Sequence, residues 1–230
     1  MKIAGLQKLT LLDFPGHIAC TVFLAGCNFR CPFCHNAPLV LGQDGGETGI
    51  PEEEFFAFLK KRQGTLEGVC ITGGEPLLRD ITEFVKQIRA LGFLVKVDTN
   101  GSYPDRLRAL IEEGLVDYVA MDVKNSLARY GETVGIPAFD TRPVEESIRL
   151  LKEGRMDYEF RTTVCREYHT AEDFAAIADL LCGARRYFLQ TYSDEGEHVG
   201  GKLTAYNKEE TEAFLPLLAP KIDTVLLRGV

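Results

Sequence analysis

The chain has no tryptophan, only three methionines and four histidines. It holds no apolar run near the roughly 20 residues that cross a bilayer. Its first residues, Met1-Lys-Ile-Ala-Gly-Leu-Gln-Lys, lack the apolar core of a secretory signal. These absences lead to the expectation of a cytoplasmic protein without membrane contact. Positive charge is also scarce: 26 Lys and Arg stand against 34 Asp and Glu, a formal net charge of −8. A basic face for nucleic-acid phosphates is therefore not expected. No repeat or linker divides the 230 residues. We expect one domain over 1–230, with a lead-in over 1–16 and the core over 17–230. The seven cysteines are an odd number, and with no signal segment ahead of them they do not read as a disulfide framework.

What the chain has is a steady alternation of short β-branched runs and amphipathic stretches. Residues 18–25, Ile-Ala-Cys-Thr-Val-Phe-Leu-Ala, read as a buried strand between Gly16 and Gly26. Similar runs follow at 68–72, 93–97, 116–123, 157–164, 187–190 and 224–227. A helix is expected after Pro51, with Glu52 to Glu54 favourable in its first turn and Phe55, Phe56, Phe58 and Leu59 on an apolar face. Others are expected at 81–91, 104–113 and 143–152, from the capping box at Thr170 to Leu181, and at 207–218. Residues 1–12 show little pattern, 13–16 read as a turn, and the glycine-rich 36–50 as a loop. Six βα units imply a parallel sheet with helices outside it. Six are fewer than the eight of a closed barrel, so the expected α/β fold is an open, partial (β/α)6 TIM-like barrel, with a flat doubly wound sheet as the alternative.

The thiols concentrate in Cys27-Asn-Phe-Arg-Cys31-Pro-Phe-Cys34, on a loop leaving the first expected strand. Soft thiolates grouped this tightly suit zinc or an iron–sulfur cluster. Three ligands on a four-iron cube leave one iron open to a small molecule, much as catalytic zinc keeps a vacant position. Alternatively, Cys27, Cys31, Cys34 and His35 make a Cys3His zinc site. The Cys-x3-Cys-x2-Cys spacing, with an aromatic before the last cysteine, resembles the signature of radical S-adenosylmethionine (SAM) enzymes. That resemblance implies a [4Fe-4S] cluster on Cys27, Cys31 and Cys34, SAM chelated to the open iron, and Phe33 against the adenine.

The other candidates fall at strand ends, where parallel α/β folds place their chemistry. Thr72-Gly-Gly-Glu-Pro76 by itself reads as a tight turn. After such a cysteine loop it resembles the GGEP motif of the same family, which implies that Gly73, Gly74 and Glu75 hold the SAM amino group. Asp98-Thr-Asn-Gly101 reads alone as an Asn-Gly turn, and Ala120-Met-Asp-Val-Lys124 as a solvated strand edge. Together they resemble the Asp-Thr-Asn-Gly and Asp-x-Lys motifs of pyruvate formate-lyase activases. Carried over, Asp98, Thr99, Asp122 and the Ala120 carbonyl would bind a monovalent cation, for which hard oxygens are suitable donors. Lys124 would face the SAM carboxylate, and Arg161 the carboxylate or the ribose.

Cys34-His-Asn36 and Leu9-Thr-Leu-Leu-Asp-Phe-Pro-Gly16 narrow the resemblance to activases of glycyl-radical enzymes, in particular those of anaerobic ribonucleoside-triphosphate reductase. No cysteine lies between Asn36 and Cys70, so a single cluster is expected. The resemblance implies a radical SAM oxidoreductase that cleaves SAM to methionine and a 5′-deoxyadenosyl radical. The radical would take a hydrogen atom from a glycine of a glycyl-radical enzyme, with a flavodoxin- or ferredoxin-type protein as electron donor. Two alternatives stand beside it: a radical enzyme acting on a small molecule, as 7-carboxy-7-deazaguanine synthase does, and a non-catalytic zinc-stabilised binding module. A peptide-modifying radical enzyme would be expected to carry more cysteines than Cys165 and Cys182 in its last third. The stretch 196–202 approaches a phosphate loop, but Leu203 stands where Ser or Thr belongs, and it reads as a surface loop. Cys20 and Cys70 read as small buried hydrophobes, and His17, His169 and His198 as structural or solvated.

Overall fold

The computed structural model describes residues 3–41, 49–194 and 198–229. One sheet runs in sequence order through β1 (Ile3–Thr10), β2 (Ala19–Leu24), β3 (Gly68–Gly73), β4 (Leu94–Thr99), β5 (Tyr118–Asp122), β6 (Asp157–Val164), β7 (Arg186–Thr191) and β8 (Thr224–Arg228). Strands β2 to β8 are parallel neighbours joined by six crossovers. Among the described residues no pairing joins β8 back to β1, so the sheet is a partial barrel, not a closed one.

The lead-in differs from expectation, because residues 3–10 form an edge strand antiparallel to β2. Its register slips between Ile3 and Gly5 and again between Gln7 and Thr10, and Gln7, Lys8 and Leu9 are exposed. Those slips break the two-residue alternation by which a strand is recognised in sequence.

The helices are α1 (Ala37–Leu41), α2 (Glu52–Arg62), α3 (Thr82–Ala90), α4 (Pro104–Glu112), α5 (Tyr130–Thr133), α6 (Arg142–Lys152), α7 (Ala171–Leu180), α8 (Lys208–Glu212) and α9 (Leu215–Leu218). Helix α1 occupies part of the stretch expected as a loop, and the remainder of that loop, 42–48, lies outside the described residues. Helix α2 buries only Phe55 and Leu59 of its expected apolar face. Helix α7 starts with the expected capping box, in which the Thr170 hydroxyl accepts from Asp173 N. The single helix expected over 207–218 is two, with Pro216 in the first turn of the second: proline cannot donate the hydrogen bond that would continue the first. No helix is long and apolar enough to cross a membrane among the described residues.

The two faces of the sheet have different contents. Outward side chains such as Val95, Val97, Val119, Met121, Phe160 and Leu189 are fully buried under the helices. On the concave face, Phe14, Ala19, Tyr118 and Ala120 form an apolar floor. Glu159 is buried at that level, accepting from the Tyr118 hydroxyl (2.7 Å) and pairing with Arg228 of β8 (2.7 Å). Above the floor, toward the C-terminal strand ends, the concave face becomes charged. Strand alternation puts Lys96 and Asp98 of β4 on the same side two residues apart.

Candidate active site

A cavity of about 310 Å³ opens at the C-terminal ends of the parallel strands. It is lined by Cys27, Cys31, Phe33 and Cys34 on one side, by Gly73 and Gly74 at the end of β3, and by Asp98, Thr99, Asp122, Lys124 and Arg161 opposite. Residues separated by up to 134 positions are thus gathered at one site by the parallel topology.

The cysteine loop is held by backbone contacts. Gly26 N donates to Leu39 O (2.9 Å), which docks α1 on the loop, and Arg30 N donates to Val134 O (2.9 Å). On its far side, Val199 N donates to Cys34 O (3.3 Å) and Gly200 N to Pro32 O (3.0 Å). A Cβ on Gly200 would lie 2.4 Å from Pro32 Cβ, so only glycine permits this approach. The stretch expected as a plain surface loop is therefore a brace for the cysteines, although Glu195 to Glu197 lie outside the described residues. The thiols are free of disulfides, with Cys31 buried and Cys27 and Cys34 half-buried. Burial pushes the Cys27 thiol up to about 11 and Cys31 up to about 12. As bare thiols they stay protonated, and a bound metal must displace those protons. Cys27 Sγ accepts from Phe29 N (3.4 Å) and Asn100 Nδ2 (3.9 Å). Donors aimed at sulfur suit a thiolate ligand.

The glycine pair also packs the β3 turn against the end of β2. Gly73 has φ +120°, and a Cβ there would sit 2.3 Å from Leu24 O; one on Gly74 would sit 2.1 Å from Gly26 O. Gly74 N and Glu75 N donate to Leu24 O (2.9 Å) and Gly26 O (2.8 Å). The turn is stitched to the residues just before Cys27, and side chains would push the two apart. Glu75 is buried and is not among the residues that line the cavity. Its carboxylate accepts from Leu77 N (2.9 Å), Thr99 Oγ1 (2.8 Å) and Asn100 N (2.6 Å). Burial pushes its pKa up to about 7, with the three donors opposing. Glu75 thus ties the β3 turn to the β4 turn.

Opposite the thiols lies a row of charges. Asp98 pairs with Lys96 and with Arg161 Nη1 (3.2 Å). Asp122 pairs with Arg161 Nε (2.8 Å) and Lys124 Nζ (3.0 Å). Burial works against every charge in the row, but the neighbouring opposite charges win: Asp98 and Asp122 are held below the usual carboxylate range, and Lys96, Lys124 and Arg161 above their ordinary values. The loop carrying Lys124 is fixed by His169, whose Nε2 donates to Lys124 O (2.9 Å). A carbonyl only accepts, so Nε2 carries the proton and Nδ1 accepts from Cys165 N (3.3 Å). Phe33 is buried, its ring 6.2 Å from that of Tyr168 and 6.0 Å from that of His169.

The structure therefore brings Cys27, Cys31, Cys34, Phe33, Gly73, Gly74, Asp98, Thr99, Asp122, Lys124 and Arg161 to one cavity, whose lining does not include Glu75. Sequence reading missed Lys96, Asn100 and Gly200. Lys96 had a findable signal, a lysine alternating in phase with Asp98 on a strand. No three His, Cys, Asp or Glu side chains among the described residues are grouped to hold one metal ion.

A parallel partial barrel with a three-thiol loop and a charged cavity at its strand ends is the architecture of an α/β protein with its site at the strand ends. The Radical SAM superfamily matches residues 21–181, and the chain belongs to it. A protein of Methanocaldococcus jannaschii, provisionally named a glycyl-radical enzyme activating enzyme, is 30% identical over 99% of this chain and 96% of its own. The 7-carboxy-7-deazaguanine synthase of Koribacter versatilis is 33% identical over 64% of this chain and 62% of its own. Among solved structures, SuiB of Streptococcus suis bound to S-adenosylmethionine superposes with a TM-score of 0.68 at 14% identity, covering 91% of this chain and 52% of that one. The chain is a radical SAM enzyme, and its cofactors are the [4Fe-4S] cluster and SAM of that superfamily.

Proposed function

We propose that this enzyme installs a glycyl radical on a partner protein, such as an anaerobic ribonucleoside-triphosphate reductase, drawing its electron from a flavodoxin or ferredoxin. The observation that carries the reading is the 30% identity to the activating-enzyme relative, sustained along 99% of the chain. The open flank between β8 and β1, which do not pair with each other among the described residues, supports it, since such a flank admits a loop of another protein.

In this reading Cys27, Cys31 and Cys34 ligate the cluster, and 1–230 form a single domain that carries the site. With SAM and a reduced cluster in place, the chemistry supplied is one-electron cleavage of a sulfonium C–S bond and removal of a hydrogen atom from a glycine Cα. The chain's own residues bind and shield. The strand-end backbone at Gly73 and Gly74 receives the SAM amino group, and Phe33 flanks the adenine. Lys124 and Arg161 face the SAM carboxylate. Three cations against two carboxylates in the charge row leave one positive charge for that group. Glu75 acts at one remove, by holding the two turns together.

The test is to incubate reconstituted, reduced enzyme with SAM and the host's glycyl-radical proteins, and to record electron paramagnetic resonance spectra. A glycine-centred doublet on one of them is expected. The match to a 7-carboxy-7-deazaguanine synthase favours a second reading, a radical reaction on a small molecule. Turnover of a free metabolite with no radical on any glycyl-radical protein would decide for it.

A further inference from the structure

Asp98 and Asp122 sit close together inside the sheet, and carboxylates so placed need positive charge between them to stay ionised. A monovalent cation would need oxygens of Asp98, Thr99 and Asp122 turned to one shared point. In the structure each of these groups has another partner. Asp98 Oδ1 pairs with Lys96 Nζ, and Asp98 Oδ2 with Arg161 Nη1 at 3.2 Å. Asp122 Oδ1 pairs with Arg161 Nε at 2.8 Å, and Oδ2 with Lys124 Nζ at 3.0 Å. Thr99 Oγ1 donates to Glu75 Oε1 at 2.8 Å. All four carboxylate oxygens meet an N–H donor of the chain, and the cation-binding arrangement does not fit.

We propose that Lys96, together with Arg161, takes the place of a monovalent cation, so that the enzyme carries this counter-charge covalently and binds SAM without an alkali ion. Lys96 is the unusual member of the row. It stands in the middle of a parallel strand and is 1% exposed. A lysine so deeply buried is costly unless paired. Among the described residues, besides Asp98 its ammonium meets soft partners, Cys70 Sγ at 3.7 Å and the Tyr118 ring at 5.9 Å. Glu159, the carboxylate one layer below, is committed to Arg228 and the Tyr118 hydroxyl. Lys96 is thus directed to Asp98, from the side opposite Arg161. Burial disfavours the ammonium, but its partners, Asp98 foremost, hold the Lys96 pKa above its ordinary value. An alkali ion added here would have to displace Lys96 or Arg161, or lie against both.

The inference concerns SAM binding alone, and stands or falls independently of which molecule donates the hydrogen atom. The test uses anaerobically reconstituted enzyme in tetramethylammonium buffer, with SAM binding followed by calorimetry and cluster content by iron and absorbance. Wild type should bind SAM equally well before and after addition of potassium or sodium chloride at matched ionic strength. Lys96→Met should bind about tenfold more weakly in tetramethylammonium, as expected for loss of one charged partner, and potassium or sodium should restore it. Lys96→Arg should stay indifferent to the ion. Wild-type binding that requires an alkali ion overturns the proposal. So does a Lys96→Met variant that binds as wild type without ions, or one whose weakened binding no ion restores. Should Lys96→Met fail to take up its cluster, the wild-type ion dependence and Lys96→Arg decide.

Discussion

The two walls of the cavity are held in opposite ways. The cysteine loop is fixed by main-chain hydrogen bonds from four separate segments and by glycines where those segments touch. The charge row facing it is fixed by its own side chains, three cations paired with two carboxylates at the ends of β4, β5 and β6. A wall held by backbone tolerates the insertion of a cofactor without needing that cofactor's charge. A wall held by charge responds to whatever ion or carboxylate enters. The difference predicts that substitutions on the two walls act in different currencies: stability and ligand affinity on the charged side, cluster properties on the cysteine side.

The largest effect expected from a single substitution is at Arg161, the one group that touches both aspartates. Arg161→Met leaves buried carboxylates facing each other with one cation each. Breaking a buried pair in this way costs about 3–5 kcal/mol, and should appear as an equal fall in unfolding free energy in urea for the cluster-free protein. If the loss were within about 0.5 kcal/mol, in the range of an ordinary surface change, the wall would not be held by charge.

Glu75, which belongs to the backbone-held side, gives a smaller and pH-dependent effect. Its pKa is raised in the folded state to about 7, so the folded state takes up its proton more readily than the unfolded one. The favourable contribution is fully present below the unfolded pKa and is lost as pH rises through about 7. Between pH 5 and 8 wild type should lose roughly 2 kcal/mol relative to Glu75→Gln, by the linkage relation. Unfolding curves of the two cluster-free proteins across that range test this. Parallel curves would mean that the Glu75 carboxylate is ionised throughout.

The smallest effect belongs to Asn100, which donates to Cys27 Sγ and to Asn28 Oδ1 (3.0 Å). Hydrogen bonds to ligand sulfurs stabilise the more negative, reduced cluster. Asn100→Leu should leave iron content unchanged and move the midpoint potential to a more negative value in a redox titration. An unshifted potential would show that this donor does not reach the thiolate.

The parallel frame was legible because its strands are short, β-branched and bounded by glycine, and the cysteine loop because its spacing is chemically restrictive. Strand β1 was not legible, since two register slips destroy its alternation and three of its eight residues are exposed. The split of the last helix was signalled by Pro216 and missed. At the site, the sequence named most of the residues but not their partners. Glu75 looked like a ligand and is a strap, because its direction depends on Asn100 and Thr99, some 25 positions away. Gly200 looked like loop filler because its neighbour, Pro32, is 168 positions distant. Lys96 was hidden in a run that reads as core, where only the phase of the strand reveals that it shares a face with Asp98.

The central claim is that this cavity holds SAM against a three-cysteine cluster and cleaves it. Chromatographic measurement of 5′-deoxyadenosine from anaerobically reconstituted, chemically reduced enzyme tests it most directly, with Cys31→Ala as the paired control. Wild type should release 5′-deoxyadenosine and methionine in equal amounts, and Cys31→Ala should bind no cluster and release neither. A fully loaded and reduced wild type that leaves SAM intact, with and without a glycyl-radical protein present, would contradict the account.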